Sequence, residues 1–537
     1  MTEPTPEDSV AFRERLATAR RIWQERLQAF PLAHSTDGRT FSYHAPLTYD
    51  LSTGGYLRIQ IANGAAYLGQ VVSKEIATLQ GPSIQVAGDA AQSEDAGAVS
   101  HMSFRIDIRR IEGTGNLLGR LEDGVLRPTG RDDRFEGASL APASEDDVAL
   151  FLAGRLARRA RLDIGRVVHG SGSARALLDA AGFNRHTFMC GQSGSGKTYS
   201  LGVVLERILT ETELRLVILD PNSDFVRLAE MRPADGASDD PTLADLRARY
   251  EQVRDRIRVL RPGSPSVTDR ESLRIRFSDL DRTEQGLVLG LDPIRDRREF
   301  DALRSVVERL GTDRYDLHMI LQATRMEFSD EMRELGLRIS NLGVAGWDVW
   351  ADVDQSSLTE LDDDWRALVL DIGGFGDQAE KSVVAMAVLG RLWRTRERRQ
   401  PLLIVVDEAH NVCPATAGDA LQAVATDHVI RIAAEGRKYG LYLLVSSQRP
   451  DKLDRNVLSQ CDNLLLMRMN AANDVGNLAS LFSFVPVSLL AQATGFSQGE
   501  SLVAGKIAPS PILVRFGTRI SPEGGSDVPT TWAAPRE

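Results

Sequence analysis

The chain has 537 residues, of which 42% are hydrophobic and 26% charged, and its formal net charge is −11. A single core stops growing at roughly 250–300 residues, so two or three structural units are expected. The acidic balance argues against a protein that coats DNA, yet it permits a ring with a basic bore, because only the local field at a contact matters.

The sequence predicts a cytoplasmic protein. No apolar run approaches the ~18 residues of a membrane-spanning helix, and the first thirty residues lack the apolar core of a signal peptide. The three cysteines, Cys190, Cys413 and Cys461, form no CxxC pair, so neither a disulfide framework nor a zinc site is indicated.

The first 160 residues contain two regions with different patterns of apolar residues. Apolar residues at helical spacing, among them Leu16 and Trp23, predict an N-terminal helix over residues 1–30. Short alternating segments follow, such as 56–61, 67–72 and 103–108, and they predict a small β-barrel or sandwich over residues 31–160 that ends in a helix at 145–159.

Residues 161–516 are typical of an α/β P-loop core with a mostly parallel, doubly wound sheet, the RecA-like fold class. Four buried strands each end on a polar residue, at 216–220, 367–371, 402–407 and 441–446. Residues 226–340 hold few strand candidates and predict a mainly helical insertion, with helices at 242–253, 297–310 and 330–339. Residues 517–537 predict a flexible tail.

The strongest motif is Gly191-Gln-Ser-Gly-Ser-Gly-Lys-Thr198, which satisfies GxxxxGK[ST] between an apolar strand and a good helix. Its backbone N–H groups would surround phosphate oxygens of ATP, Lys197 would reach the β and γ phosphates, and Thr198 would hold Mg²⁺. The predicted nucleotide contacts are Gly191, Gln192, Ser193, Gly194, Ser195, Gly196, Lys197, Thr198 and Tyr199.

An acidic pair, Asp407-Glu408, closes the apolar run 402–406. Open α/β sheets bind ligands at the carboxyl ends of their strands, so Asp407 suits Mg²⁺ and Glu408 suits polarising the attacking water. Such pairs also occur at ordinary strand exits, but the phosphate loop favours the metal interpretation.

For two further residues the sequence leaves two interpretations open. Gln448 follows the next strand and is predicted to sense the γ-phosphate, unless it is only a polar loop residue. Arg437 lies near a helix end, where it either caps the helix or reaches the ATP of a neighbouring subunit as a catalytic arginine. Only one nucleotide core is present, so the other half of the site must come from another subunit.

Taken together, these motifs resemble the HerA branch of the FtsK–HerA superfamily. The matching segments are 184–186, 191–198, 220–225, 407–411, 435–438 with Gly440, 447–450, 458–461 and 498–500. The resemblance carries the family's site roles to Lys197, Thr198, Asp407 and Glu408, and to Arg437 as the arginine that acts on a neighbouring subunit. It adds Arg185 and Asp220 as further site residues, while the catalytic role of Gln448 rests on its place after the strand. One departure is Ser223, which stands where the family commonly has Gly before an acid-aromatic pair.

The resemblance also implies a homohexamer that threads double-stranded DNA through its centre, with a nuclease or other effector docked on the N-terminal barrel. We expect an ATP-driven DNA motor in DNA end processing (DNA repair) or in antiviral defence. A second hypothesis is an ATP-dependent scaffold ring that assembles and gates a nuclease or a sirtuin-like effector with little translocation. Conjugative or segregation pumps are a third, for which membrane segments and winged-helix tails are missing from the sequence.

Overall fold

The computed structural model of the protein describes residues 17–18, 30–62, 64–87, 101–154, 160–168, 174–233, 241–263, 271–311, 313–326, 329–353 and 356–524. These residues form two compact units, the first up to residue 154 and the second from residue 160, with Ala174 joining the first. The predicted N-terminal helix lies, except for two residues, outside the described part of the chain, as do residues 155–159 of the helix predicted at 145–159.

The first unit is a closed barrel of six strands. The strands are β1 (Leu32–Ser35), β2 (Thr40–Pro46), β3 (Tyr56–Gln60), β4 (Ala66–Ala87), β5 (His101–Glu122) and β7 (Phe135–Pro142), and β6 (Val125–Arg127) pairs with β5 outside the closure. The order β2-β1-β7-β3-β4-β5 closes because β5 returns to pair with β2.

The alternation of apolar and polar residues explains the barrel, because every second residue of a strand points to the same face and the apolar ones can fill one core. In β2, Phe41, Tyr43 and Ala45 are buried while the residues between them are not. They join Ile59 and other apolar side chains in one core. The unit ends in helix α1 (Glu145–Gly154).

The second unit is built on a sheet of eleven strands in the order β12-β13-β11-β14-β15-β10-β16-β17-β18-β8-β9. The first seven are parallel and the last four antiparallel. The parallel strands are β10 (His186–Cys190), β11 (Arg215–Asp220), β12 (Ile257–Leu260), β13 (Ala367–Asp371), β14 (Leu402–Val406), β15 (Leu441–Ser447) and β16 (Cys461–Met467). The antiparallel strands are β8 (Arg161–Val167), β9 (Arg175–Asp179), β17 (Glu500–Gly505) and β18 (Ile512–Phe516).

Helices flank this sheet: α2 (Lys197–Glu211), α3 (Pro241–Arg254), α4 (Arg282–Val288), α5 (Arg297–Leu310), α6 (Leu317–Arg325), α7 (Asp330–Leu342), α8 (Ser357–Glu360), α9 (Gln378–Arg394), α10 (Ala420–Glu435), α11 (Arg455–Leu458), α12 (Ala472–Leu481) and α13 (Val487–Leu490). The predicted fold class is confirmed, since a barrel precedes an α/β core of parallel strands. The region 226–340 holds five of these helices and also strand β12, which joins the sheet edge. Among the described residues, no helix is long and apolar enough to cross a membrane.

The predicted flexible tail from residue 517 needs a correction. Residues 517–524 pack against the core, and the side chain of Arg519 is fully buried beside Glu206 of α2. Both carboxylate oxygens of Glu206 accept backbone N–H groups, from Ile520 and Ser521. Composition suggested disorder because the segment is polar, but a buried acid on α2 supplies its partners. Residues 525–537 lie outside the described part of the chain.

Candidate nucleotide and metal site

The phosphate loop follows β10 and ends in helix α2, as the motif requires. Gly194 and Gly196 have φ values of 74° and 87°, a left-handed conformation that glycine adopts without steric cost. Gly499 approaches the loop and donates a hydrogen bond to the carbonyl of Ser195 at 2.9 Å. The Ser195 hydroxyl is buried and has no hydrogen-bond partner among the described residues. The loop therefore lies at the start of a fifteen-residue helix, whose first backbone N–H groups suit phosphate, and it holds one unpaired buried hydroxyl.

Lys197 is the buried centre of the site. Its Nζ lies 2.7 Å from Asp407 Oδ1, 2.9 Å from Ser446 Oγ and 3.1 Å from Glu408 Oε1. Burial would lower the pKa of Lys197, but the two adjacent carboxylates outweigh it and raise the pKa above its ordinary value. The lysine is therefore charged, and it faces the carboxyl ends of β14 and β15.

Three acids gather beside this lysine. Asp220, Asp224 and Asp407 each offer a carboxylate oxygen, and these oxygens lie within 4.8 Å of one another. Burial raises the pKa of Asp220 to about 7, and burial together with Asp407 raises that of Asp224 to about 6. The hydroxyl of Thr198 lies 3.4 Å from Asp224 Oδ2, so the predicted metal ligands Thr198 and Asp407 flank the same point.

These residues fit a magnesium ion. Asp407 Oδ2 is fully buried and accepts no hydrogen bond among the described residues. An unpaired buried carboxylate oxygen is costly, and a divalent cation is one group that would satisfy it. Asp220 is less available as a ligand, because it accepts backbone N–H groups of Asp224 at 3.0 Å and Phe225 at 2.7 Å. Its position indicates that it shapes the loop that carries Asp224.

Glu408 and Gln448 meet directly, since Gln448 Nε2 donates to Glu408 Oε1 at 2.7 Å. The other oxygen of Glu408 lies 3.3 Å from His410 Nδ1. Glu408 also has a φ of 39°, a strained conformation for a residue with a Cβ, of the kind that concentrates at active sites. Glu408, predicted to activate the attacking water, and Gln448, predicted to sense the γ-phosphate, thus lie together at the ends of β14 and β15.

Ser223 keeps the conformation that a glycine would have at this position. Its φ is 61°, and its hydroxyl donates to Asp371 Oδ1 at 2.7 Å. The hydrogen bond compensates part of the strain of the left-handed conformation. The substitution therefore leaves the turn in the geometry that presents Asp224.

Arg437 and Arg185 are not brought to the phosphate loop. Both lie where the strands begin, a side of the sheet that we call the amino edge, and both face Asp462, at 3.2 Å and 3.8 Å. The five-residue strand β10 separates Arg185 from the loop, roughly 16 Å at 3.3 Å per residue. The predicted contact of Arg185 with nucleotide therefore cannot form within one chain, and the same geometry excludes Arg437 from its own site.

The side chain of Tyr199 points away from the phosphate loop. Its hydroxyl accepts the backbone N–H of Arg519 at 2.9 Å, so the ring contacts the segment 517–524 and only the backbone remains for phosphate. Sequence reasoning missed Asp224 and His410 as site residues. Asp224 could have been found, because it is the acid of the acid-aromatic pair after β11. His410 lies in the matching segment 407–411, which is the signal that could have identified it.

Comparisons with known proteins find similarity over parts of this chain. A family profile described as "Helicase HerA, central domain" matches residues 162–385. The chain is 24% identical over 443 residues to the DNA double-strand break repair helicase HerA of Pyrococcus furiosus, covering 75% of this chain and 77% of that protein. It is 30% identical over 152 residues to a probable helicase of Methanocaldococcus jannaschii, a match that spans 27% of this chain and only 29% of that relative. Among solved structures, VirB4 of Thermoanaerobacter pseudethanolicus aligns with a TM-score of 0.46 at 17% identity, over 66% of this chain and 96% of that one.

Proposed function

We propose that this chain is a HerA-type P-loop ATPase, an ATP-driven DNA translocase that works as a ring and hydrolyses ATP between neighbouring subunits; the family profile over residues 162–385 and the HerA relatives support this. The observation that carries the proposal is the separation of the two halves of the site. Lys197, Asp407, Glu408 and Gln448 lie at the carboxyl ends of the strands, while Arg437 lies at the amino edge.

Head-to-tail packing of neighbouring subunits would bring the two halves of the site together. In such an interface the amino edge of one subunit faces the carboxyl edge of the next, and a heterologous interface of this kind closes into a ring when its rotation allows. Arg437 of one subunit then reaches the nucleotide of its neighbour, and Arg185 accompanies it because both face Asp462. Six subunits is the number we propose.

The residues of the site then take defined roles in ATP hydrolysis. Lys197 binds the β and γ phosphates. Thr198, Asp224 and Asp407 would hold Mg²⁺, which would neutralise charge on the phosphates. Glu408 orients and polarises the attacking water, and Gln448 holds Glu408 through the 2.7 Å hydrogen bond. Arg437 from the neighbour stabilises charge on the γ-phosphate in the transition state.

DNA is the proposed substrate of the motor, and a nuclease or other effector is the proposed partner. The similarity to the Pyrococcus furiosus protein, a DNA double-strand break repair helicase, supports DNA as the substrate. The barrel is a compact unit separate from the ATPase core, which supports a docking role for it. DNA end processing is the role we propose first, with antiviral defence as the alternative setting.

Two measurements test the proposal together. Sedimentation should detect a ring, and ATP turnover per subunit should rise more steeply than linearly with protein concentration through the assembly range. Duplex DNA should stimulate turnover by the assembled ring. A monomer with full specific activity would exclude the shared site, and a ring whose turnover ignores DNA would favour the ATP-dependent scaffold as the function.

A further inference from the structure

An arginine-lined cavity lies in the second unit, away from the phosphate loop. It has a volume of about 740 Å³ and lies between the antiparallel strands β8, β9 and β18 on one side and helices α2 and α3 on the other. Arg207 and Glu211, at the far end of α2, line it. At 1.5 Å per residue they lie roughly 15–20 Å along α2 from Lys197, so the cavity is separate from the nucleotide site.

Three arginines form a row across the strands of this cavity. In the strand register, Arg166 of β8 lies directly opposite Arg175 of β9 on one side and Arg515 of β18 on the other. Directly opposite residues of antiparallel strands point to the same face, and all three line the cavity. We call them the arginine row.

This row is electrostatically unfavourable by itself. Like charges directly opposite one another on neighbouring strands destabilise a sheet. The outer two arginines have acidic partners, Arg175 with Asp163 at 2.8 Å and Arg515 with Glu500 at 2.6 Å. The central Arg166 is exposed, and its one hydrogen bond among the described residues goes to the carbonyl of Gly165 at 3.4 Å. Among the described residues, the cation at the centre of the row therefore has no acidic partner.

Other features of the cavity favour an anion with phosphate chemistry. Helix α3 begins at the cavity with Pro241 and Thr242, and its first turn contains no acid, so its backbone N–H groups and dipole favour negative charge there. The guanidinium fork matches two phosphate oxygens at once. The row spans roughly 10 Å, since strands are about 4.8 Å apart, and this is about three times the axial rise of roughly 3.4 Å between successive phosphates of one DNA strand.

We propose that the arginine row binds the phosphodiester backbone of DNA. This inference rests on the proposed function, which supplies DNA as the substrate, and it assigns the contact that the sequence motifs did not identify. An acidic protein segment is the competing occupant. Protein interfaces are centred on aromatic and apolar groups, whereas the aromatic side chain that lines this cavity, Phe516, is buried. Asp163, Glu211 and Asp245 also line the cavity, but each pairs with an arginine there, Asp163 with Arg175 and the other two with Arg249, which leaves Arg166 to face an anion.

The test measures binding of the full-length protein to a labelled duplex by fluorescence anisotropy, from roughly 50 to 200 mM salt. Replacing Arg166 by Gln should lower the magnitude of the slope of log affinity against log salt by about 0.9, because each phosphate contact contributes about that much. The triple Gln variant of the row should lower it by about three. Arg304→Gln, an exposed arginine on α5 paired with Asp301, is the matched control and should keep the wild-type slope.

The outcomes separate this site from the proposed function. Unchanged slopes in both row variants, with wild-type DNA binding intact, would overturn the site and leave the translocase standing. Wild-type protein that fails to bind duplex at low salt would overturn both. A labelled polyglutamate chain that binds as tightly as DNA and loses as much affinity in Arg166→Gln would assign the cavity to an acidic partner. ATP turnover without DNA should be unchanged in Arg166→Gln, which shows that the fold is intact.

Discussion

Replacing Arg437 by Ala separates a structural role from a catalytic one, because the two predict different magnitudes. The side chain is 43% exposed and pairs with an equally exposed Asp462 at 3.2 Å. Exposed pairs contribute about 0–1 kcal/mol, and a basic residue near a helix end adds about as little. Unfolding therefore cannot explain a large loss of activity. If Arg437 stabilises the γ-phosphate of a neighbour, turnover should fall by roughly 10³–10⁵ while ATP binding and ring assembly persist.

Mixed rings give this prediction a second, quantitative readout. Arg437→Ala subunits keep an intact Lys197, and Lys197→Ala subunits keep an intact Arg437. In an equal random mixture, about one interface in four joins an intact loop to an intact arginine, one half times one half, if the interface is heterologous. ATP turnover, measured by phosphate release, should therefore recover to at most about a quarter of the wild-type rate if interfaces act independently. Mixed rings that recover no turnover would place the arginine outside the shared site.

The remaining predictions concern the site and its supports. Lys197→Ala should abolish tight ATP binding, whereas Glu408→Gln should bind and retain ATP in a filter assay without turnover. Hydrolysis at the wild-type rate by Glu408→Gln would reject Glu408 as the residue that activates the attacking water. Burial raises the pKa of Asp220 from 3.8 to about 7, so the folded chain holds its proton more tightly and stability falls as pH rises through this window, by at most about 4 kcal/mol. Without Mg²⁺, Asp220→Asn should therefore flatten the decrease in Tm between about pH 4 and pH 7, and an equal decrease in both proteins would contradict the assignment. Gly202→Ala would place a Cβ 2.4 Å from a buried guanidinium nitrogen and should lower Tm through a cost of about 1–3 kcal/mol, while Gly476→Ala, whose Cβ meets nothing within 4 Å, should not.

Local patterns predicted the strands and the phosphate loop because the determining interactions are short in sequence. The five-residue runs at 367–371 and 402–406 are fully buried, as continuous apolar strands of a parallel sheet should be. The resemblance to the HerA family is confirmed by the match over residues 162–385. The roles of the site residues remain predictions, although Lys197 and Glu408 lie together as expected.

Long-range partners explain what the sequence could not predict. The packing of Arg519 depends on Glu206, more than 300 residues earlier, and no local sequence pattern predicts that pair. The arginine row depends on the register of three strands, one of which begins about 340 residues after the others. Placing Arg437 relative to the loop required strand direction, which decides the edge of the sheet on which a residue lies.

The central claim is that ATP hydrolysis moves this ring along duplex DNA. Displacement of a labelled third strand from a DNA triplex tests it most directly, because a protein that only binds DNA does not remove the strand. The wild-type protein should release the strand in the presence of ATP and Mg²⁺, and Glu408→Gln, which retains ATP without hydrolysing it, should not. Equal release by both proteins, or none by a wild-type ring that hydrolyses ATP, would contradict the account.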